Sequence, residues 1–144
     1  TAVETSGYGR RDHVSAIASA ADLVMYDVKF VDEELHRRHT GVSNSIIIEN
    51  LRYLASEHSN VLVRVPCIAG VNDGVAQVAE TVGLVAGLGL SRIELLRYNG
   101  AAGAKYEWLD RPYPLEGTST QEDGYLNELA DICRQSGLDV KIGE

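Results

Sequence analysis

Short runs rich in β-branched residues alternate with longer helical stretches along the whole chain of 144 residues. This alternation predicts strands at residues 1–5, 23–28, 61–66, 93–96 and 138–142. It predicts helices at residues 11–20, 45–57, 74–88 and 120–136. Because β and α segments take turns, the strands should form a parallel sheet with right-handed crossovers. The fold class expected is therefore α/β.

The length of the chain limits how such a sheet can close. Residues 1–144 suit one domain, and five strands are too few for a closed eight-stranded barrel, which needs about 250 residues. The sheet is then either an open doubly wound sheet or an arc of a (β/α) barrel. Both arrangements place ligands at the carboxyl ends of the strands.

Local signals refine two helix ends and one connection. Asn72 and Asp73 supply side-chain oxygens suited to an N-cap for the helix starting near Gly74. Gly137 follows the last helix, where a left-handed residue usually ends it. Residues 99–120 are predicted as a long irregular segment, and connections of that length are often functional.

Composition excludes several classes of protein. The net charge is −8, and no basic cluster exceeds two adjacent arginines, which argues against nucleic-acid binding. The longest apolar run, 82–90, is half a membrane span and contains three glycines. Cys67 and Cys133 lie 66 positions apart without a Cys/His cluster, which disfavours a disulfide framework or zinc site and favours the cytoplasm. No leader-like segment follows Thr1.

Charged or hydrogen-bonding residues follow four consecutive predicted strands. Asp27 and Arg64 lie within otherwise apolar strands, where a charge must be paired or solvated. Asp27 and Lys29 are two apart and could form a local surface ion pair. Arg64 could equally cap a helix or pair with an acid elsewhere. Convergence of these charges at one edge of the sheet would favour a ligand site.

Two further features have a simple structural interpretation. His36 and His39 have i, i+3 spacing, but without a third ligand they are expected on a solvated helix face. Cys67, between Pro66 and Ile68, is expected to be a small buried hydrophobic residue. Spacing alone thus predicts a ligand-binding α/β domain and no reaction.

Seven stretches in order resemble the carboxyl-terminal portion of the glycyl-radical-enzyme activating enzymes, a radical S-adenosylmethionine (SAM) family that includes pyruvate formate-lyase activating enzyme. They are Glu-Thr-Ser-Gly-Tyr at 4–8, Asp-Leu-Val-Met-Tyr-Asp-Val-Lys at 22–29, His-Arg-Arg-His-Thr-Gly-Val-Ser-Asn at 36–44, Arg-Val-Pro-Cys-Ile-Ala-Gly-Val-Asn-Asp at 64–73, Ile-Glu-Leu-Leu-Arg-Tyr-Asn at 93–99, Ala-Gly-Ala-Lys-Tyr at 102–106 and Val-Lys-Ile-Gly at 140–143. The family fold is a six-stranded partial TIM barrel, so the resemblance implies a truncated arc of it.

The resemblance also implies a chemistry and partners. In that family a [4Fe–4S] cluster reductively cleaves SAM, and the resulting radical takes hydrogen from a backbone glycine of a partner enzyme. The partner would be a glycyl-radical enzyme such as pyruvate formate-lyase, and an electron donor such as flavodoxin would supply the electron. The long segment 99–120 could help shape the opening through which the partner's loop enters.

Residue roles carry over by position in the matching stretches. Lys29 resembles a residue that pairs with the methionyl carboxylate, and Arg64 one that points into the barrel. Asn99 and Ser6 match positions near SAM. The set of residues that resembles a monovalent-cation site comprises Glu4, Thr5, Met25 and Asp27, which would offer oxygen ligands.

The sequence departs from the family pattern at four places. Asn99 stands where histidine is common and cannot titrate, Arg97 stands where proline is usual, and Asp110 where glycine is usual. The Cys-x3-Cys-x2-Cys cluster motif is absent, and Cys67 and Cys133 cannot replace it. The 144 residues are therefore expected to be the carboxyl-terminal part without the cluster-binding part, inactive alone, and prone to self-associate through an open barrel edge.

Two alternative functions stay open at this point. One is a barrel aldolase in which Lys29 forms a Schiff base, disfavoured because Asp27 two residues away should keep Lys29 protonated. The other is a stand-alone, non-catalytic module that binds a nucleoside or a protein.

Overall fold

The computed structural model describes residues 1–101 and 103–144 in full, and of residue 102 it gives only the place within a helix. The elements in chain order are β1 (Ala2–Thr5), α1 (Arg11–Ser19), β2 (Leu23–Asp27), α2 (Glu33–Thr40), α3 (Ser45–Glu57), β3 (Val61–Pro66), α4 (Val75–Gly87), β4 (Arg92–Leu96), α5 (Ala102–Trp108), α6 (Asp123–Gln135) and β5 (Asp139–Gly143). The α/β class predicted from the alternation is confirmed.

Within the described residues, the five strands form one parallel sheet whose spatial order is the chain order, β1-β2-β3-β4-β5. A doubly wound sheet reverses its strand order at a switch point, and this sheet has no reversal. The sheet is therefore the arc of a barrel, the second of the two architectures that the sequence left open.

The two faces of the sheet differ. Side chains that alternate along the strands, such as Val24, Val63 and Leu95, are buried under α1, α3, α4 and α6 in one hydrophobic core. We call this the covered face. The intervening residues, including Met25, Leu62 and Leu96, are only half-buried on the other side, which we call the open face.

A close contact fixes the connection after β1. Gly7 has φ +67°, and a Cβ there would lie 1.6 Å from the Tyr26 hydroxyl oxygen, so the position requires glycine. Tyr26 is fully buried and donates to the Ile47 carbonyl at 2.7 Å. Asn50 of α3 donates to the Gly7 carbonyl at 2.8 Å. The Glu-Thr-Ser-Gly-Tyr stretch is thus held against both β2 and α3.

Two helices, α2 and α5, lie outside the four helix ranges that periodicity predicted, although His36 and His39 were expected on a helix face. α2 begins after Asp32, whose carboxylate accepts from the Leu35 amide at 2.8 Å, and ends at Gly41 with φ +83°. Leu35 is its one large apolar residue, so no hydrophobic stripe indicates this helix, and the sequence signals for it are the capping residues at its two ends. α5 occupies part of the segment 99–120 that was predicted to be irregular.

The predictions for helix ends had mixed outcomes. Gly137 has φ +80° directly after α6 and its C-cap, as predicted. The N-cap prediction for α4 was wrong, because Gly74 is the N-cap residue and receives no side-chain hydrogen bond. Asn72 Oδ1 instead accepts from the Ile68 amide at 2.7 Å, and Asp73 Oδ1 accepts from the Gly70 amide at 2.9 Å.

Among the described residues, no helix is both long and apolar enough to cross a membrane.

Candidate functional site

Four connections meet at the carboxyl edge of the sheet, because β1 to β4 run in the same direction. They comprise residues 6–10, 28–44, 67–74 and 97–122. The predicted site residues lie within these connections or in the strands that lead to them. The candidate site is therefore this edge together with the adjoining part of the open face.

Arg64 is the centre of the charge cluster on the open face. Its Nη1 donates to Glu4 Oε1 at 2.7 Å, and its Nε donates to Asp27 Oδ1 at 2.9 Å. The Arg64 side chain is 11% exposed, against 61% for Glu4 and 22% for Asp27. Hydrogen bonding from Arg64 lowers the pKa of Glu4 below its usual value. The three side chains link β1, β2 and β3.

The predicted local ion pair between Asp27 and Lys29 is not formed. Asp27 lies opposite Arg64 in the register of β2 and β3, and this neighbour takes the carboxylate. Among the described residues, Lys29 has no carboxylate partner within ion-pair distance. Asp27 is therefore not placed to keep Lys29 protonated, and the reason for disfavouring a Schiff base at Lys29 no longer holds.

Lys29 lines a cavity of about 460 Å³ at the carboxyl ends of β2 and β3. Aromatic and aliphatic side chains make up most of the remaining wall, including Phe30, His39, Ile68, Tyr106 and Tyr113. The rings of Phe30 and His39 stack with centroids 5.1 Å apart, and those of Tyr106 and Tyr113 lie 4.9 Å apart. A lysine in such a wall can bind an anionic group of an otherwise apolar ligand.

Asn99 does not share this cavity. It lines a separate opening of about 230 Å³ together with Arg97, Thr120 and Glu144. The Asn99 Oδ1 accepts from the Ala101 amide at 2.9 Å, so its side chain stabilises a local turn. The structure brings Lys29 and Asn99 to one edge of the sheet but not into one cavity.

Arg97 uses its backbone as well as its side chain, which explains one departure from the family pattern. Its amide donates to the Gly143 carbonyl at 2.9 Å and extends the pairing of β4 with β5. Its guanidinium donates to the Gln121 carbonyl at 3.0 Å and pairs with Asp123. A proline at this position would lack the amide donor.

The other predicted ligands are dispersed. Ser6 Oγ accepts from the Tyr8 amide at 3.4 Å, and Thr5 Oγ1 accepts from the Gly7 amide at 2.9 Å. Glu4 and Met25 are register partners and lie on the open face, whereas Thr5 alternates to the covered face. Among the described residues, no group of three or more His, Cys, Asp or Glu side chains is placed to hold a metal ion.

A buried amide network, which the sequence did not predict, lies behind the edge. Asn72 is 2% exposed and donates to the carbonyls of Lys29 at 3.1 Å and Pro66 at 2.8 Å. Gln121 donates to the Cys67 carbonyl at 3.0 Å and accepts from the Tyr98 amide at 3.1 Å. These contacts join the ends of β2, β3 and β4. Two polar residues in otherwise ordinary loops gave no sequence signal for such long-range bonds.

The prediction that His36 and His39 lie on a solvated helix face was wrong for His36. Its side chain is 3% exposed, and its Nδ1 lies 2.9 Å from the Val42 carbonyl oxygen. This contact folds the end of α2 back onto the following turn. His39 is exposed, as predicted, while its ring stacks on Phe30.

Both cysteines are fully buried and free, which confirms the expectation for Cys67 of a small buried hydrophobic residue. Burial raises the pKa of the Cys67 thiol to about 12 and that of Cys133 to about 11. Cys67 Sγ donates to the Val65 carbonyl, and Cys133 Sγ to the Leu129 carbonyl. Neither thiol is available as a cluster ligand.

Comparison with known proteins gives consistent relatives, although no family model matches the chain. The isethionate sulfite-lyase activating enzyme of Nitratidesulfovibrio vulgaris is 44% identical over 138 residues, which cover 94% of this chain and 44% of that protein. The choline trimethylamine-lyase activating enzyme of Oleidesulfovibrio alaskensis is 35% identical over 149 residues, covering 99% and 47%. The trans-4-hydroxy-L-proline dehydratase activating enzyme of Clostridioides difficile is 31% identical over 144 residues, covering 99% and 48%. The chain spans about half the length of these relatives.

Solved structures show the same fold. A domain of pyruvate-formate lyase-activating enzyme from Bacteroides vulgatus matches with a TM-score of 0.79 at 23% identity, covering 99% of this chain and 80% of that chain. A radical SAM methyltransferase from Sphaerobacter thermophilus matches with a TM-score of 0.69 at 19% identity, covering 98% and 39%. The arc of five strands thus shares its fold with these two proteins.

Proposed function

We propose that the chain, which is similar to glycyl-radical-enzyme activating enzymes of the radical SAM superfamily, forms the carboxyl-terminal part of such an enzyme. The observation that carries the proposal is 44% identity over nearly the whole chain to a named activating enzyme. The complete protein would be an oxidoreductase that installs a glycyl radical on a partner. We place it in the cytoplasm.

Lys29 is the residue whose surroundings best fit SAM. It has no carboxylate partner among the described residues and lines a mostly apolar cavity of about 460 Å³. A methionyl carboxylate would supply the missing negative charge, and a charge-assisted hydrogen bond is among the stronger polar contacts. Bound SAM would supply the radical that abstracts hydrogen, while Lys29 would orient the methionyl end.

We assign supporting roles to three further residues. Arg64 orders the open face by holding Glu4 and Asp27, and Asn99 and Ser6 would offer hydrogen bonds near the adenosyl group. Since Asn99 lines a different opening from Lys29, SAM would have to extend along the edge between the two. Loss of SAM affinity in Asn99→Ala without loss of stability would support this path.

The monovalent-cation site would use Glu4, Thr5, Met25 and Asp27. Arg64 already neutralises both carboxylates, so a cation there has to bind beside the guanidinium or replace it. Titration with KCl against N-methylglucamine chloride tests this part of the proposal. A saturable rise in Tm that Asp27→Asn abolishes is expected, whereas equal effects of the two salts contradict a site.

The described residues do not fit a [4Fe–4S] cluster, because both cysteines are buried with raised pKa values. We propose that the cluster ligands belong to a part of the protein outside these 144 residues. The 144 residues alone would then be inactive. Reconstitution with iron and sulfide tests this, and the absence of a cluster absorption band is expected.

The partner is proposed to be a glycyl-radical enzyme, either pyruvate formate-lyase or a relative, with flavodoxin or a similar protein as electron donor. The relative of highest identity quoted above acts with isethionate sulfite-lyase according to its name. We therefore choose isethionate sulfite-lyase as the first test partner. Choline trimethylamine-lyase and trans-4-hydroxy-L-proline dehydratase follow from the other two relatives.

The test uses the full protein that its gene encodes, with its cluster reconstituted. Release of 5′-deoxyadenosine and an electron paramagnetic resonance signal of a glycyl radical on one partner are expected. Lys29→Met should weaken SAM binding on the order of tenfold or more, while the exposed Lys105→Met serves as a matched control. SAM binding without a glycyl radical on any partner would instead favour a non-catalytic binding module.

One observation favours a second candidate function, that of a barrel aldolase. Lys29 lacks an acidic partner and lies in an apolar wall, which suits a Schiff-base lysine. Borohydride reduction in the presence of a small aldehyde or ketone tests it. Covalent trapping at Lys29 and no trapping in Lys29→Met would replace the radical proposal.

We also propose that the 144 residues alone self-associate, because β1 and β5 are edge strands and the open face holds half-buried Met25, Leu62 and Leu96. Sedimentation at rising concentration should show dimers or larger species. A monodisperse monomer contradicts this proposal.

A further inference from the structure

Exposed large hydrophobic residues are concentrated at one edge of the molecule. In the part of the chain that the structure describes, these are Tyr8 at 58%, Val75 at 59%, Trp108 at 82%, Leu109 at 65% and Ile17 at 53% exposed. Tyr8 follows β1, Val75 is the first residue of α4 after β3, and Trp108 and Leu109 follow β4. Ile17 lies near the far end of α1. Four of the five thus belong to the carboxyl edge, and we call Tyr8, Val75, Trp108 and Leu109 the apolar rim.

The negative charge of the chain lies mainly outside the edge that contains the apolar rim. The four connections at the carboxyl edge contain seven basic and eight acidic residues, whereas the rest of the chain contains six basic and thirteen acidic residues. Nearly all of the net charge of −8 therefore lies on residues outside this edge. An acidic protein would be repelled by the other surfaces and much less by the edge, which favours one orientation of approach.

The part of the rim after β4 belongs to the same helix as one wall residue of the cavity that contains Lys29. Tyr106 forms part of the cavity wall and lies two residues before Trp108. The Leu109 amide donates to the Lys105 carbonyl at 3.2 Å, and the Arg111 amide donates to the Tyr106 carbonyl at 3.0 Å. Backbone bonds thus close a turn at the end of α5, in which Trp108 and Leu109 are exposed.

We infer that the apolar rim is the docking surface for the folded body of the partner protein whose glycine reaches the cavity. This inference rests on the proposed function, since it assumes that the reacting glycine belongs to a protein. Trp is enriched among residues that dominate binding energy, and clustered exposed apolar residues mark interaction sites. Tyr8 and Val75 would contact the partner on the β1 and β3 sides of the opening.

Docking at the apolar rim predicts a difference between a whole partner protein and a short peptide, which binding in the cavity alone does not predict. A short peptide that contains only the partner's glycine and its flanking residues enters the cavity without reaching Trp108 and Leu109. A whole partner touches both the cavity and the rim. Changes in the rim should therefore affect the whole partner and leave the peptide unaffected.

The experiment compares the double variant Trp108→Ser/Leu109→Ser with Ile17→Ser in the full protein. Ile17 is a matched control because it is an exposed apolar residue away from the edge. Affinity for isethionate sulfite-lyase, choline trimethylamine-lyase and trans-4-hydroxy-L-proline dehydratase is measured by calorimetry, and activation of each and of a matching peptide is measured separately. Thermal unfolding checks that each variant is folded, and Tyr8→Ser provides an independent rim variant.

For the partner that the unaltered protein binds, the double variant should weaken the affinity on the order of tenfold or more. Peptide activation should stay unchanged, and Ile17→Ser should have no effect. Unchanged affinity in both rim variants, or an equal loss in Ile17→Ser, overturns the docking surface while the proposed function stands. If the unaltered protein binds and activates none of the three partners, the proposed function fails and the docking surface fails with it.

Discussion

The covered and open faces of the sheet are built from alternate residues of the same strands, yet they follow different rules. On the covered face Val63 and Leu95 are fully buried against helices. On the open face their neighbours Leu62 and Leu96 are half-buried, and Arg64 is paired with Glu4 and Asp27. The covered face depends on shape and apolar area, whereas the open face depends on charge pairing.

This difference shows where the molecule can change. A substitution on the covered face alters close packing and is felt by the whole core. A substitution on the open face alters contacts that are half in water, where each contributes less. The residues that we propose to bind a ligand lie on the open face and at the edge, where side chains can be exchanged at small cost in stability.

The largest effect is expected at Gly7, which packs against the covered face. Gly7→Ala places a Cβ 1.6 Å from the Tyr26 hydroxyl at φ +67°, so the left-handed strain and the overpacking should together cost about 3–5 kcal/mol. Gly41→Ala is the control, because Gly41 has φ +83° but no atom within 4 Å of the added Cβ. Urea unfolding should show a loss of only about 1–2 kcal/mol there. Equal losses would mean that the contact with Tyr26 is unimportant.

The sharpest test of the two faces is a pair of adjacent leucines in β4. Leu95→Ala should reduce the free energy of unfolding by about 2–4 kcal/mol because a fully buried side chain leaves a cavity. Leu96→Ala, on the half-buried open face, should cost about 1 kcal/mol. Chemical denaturation of both variants measures the difference. Similar losses would show that the open face is packed as tightly as the covered one.

The contribution of charge pairing on the open face can be tested at Arg64 by varying the pH. Arg64→Met should cost about 1–2 kcal/mol at neutral pH, because Asp27 and Glu4 lose their hydrogen-bond donor. Arg64 lowers the folded-state pKa of Glu4 below its usual 4.5, so this stabilisation is present above that value and is lost as the pH falls through the lowered pKa. The stability gap between the two proteins should therefore narrow below about pH 5. In a Glu4→Gln background, Arg64→Met should cost less stability at neutral pH. A stability difference between Arg64→Met and the unaltered protein that is constant with pH would contradict the pairing.

The smallest effect is expected at Asp110, which departs from the family pattern and lies outside both faces. It is the non-glycine residue with positive φ, at +51°, among those that the structure describes. Asp110→Gly should raise the free energy of unfolding by about 0.5–1 kcal/mol, because glycine adopts this region without a steric penalty. Asp110→Ala should instead lower it. Thermal unfolding of both variants measures these changes. A lower stability of Asp110→Gly would show that the aspartate side chain stabilises the turn.

Most of the fold could be predicted because each strand repeats one signal, a short β-branched run between helical stretches. α3 was predicted with its observed bounds, and β3 likewise. The bounds of α2 were missed because its eight mostly polar residues contain little periodicity, and the buried His36 was placed on the solvated face of a helix. The signals at its ends, Asp32 and Gly41, depend on local capping rather than on core burial.

The candidate site was predicted in part. The convergence of Asp27 and Arg64 followed from their positions in parallel strands, but spacing left the partner of Asp27 open because register decides which charges meet. Asn72 and Gln121 were missed as organisers of the edge because their bonds span up to 54 positions in the chain. Bonds of that range depend on how loops close over the strand ends, which sequence patterns do not encode.

The strand order β1-β2-β3-β4-β5 also has a kinetic consequence. Each strand pairs with the strands next to it in the chain, so the sheet can assemble by adding one neighbour at a time without closing a very long loop. The middle strand β3 gains partners on both sides, while β1 and β5 each have one. Local opening should therefore begin at the two outer strands, and the amides of Val63 and Val65 should be among the last to exchange with solvent.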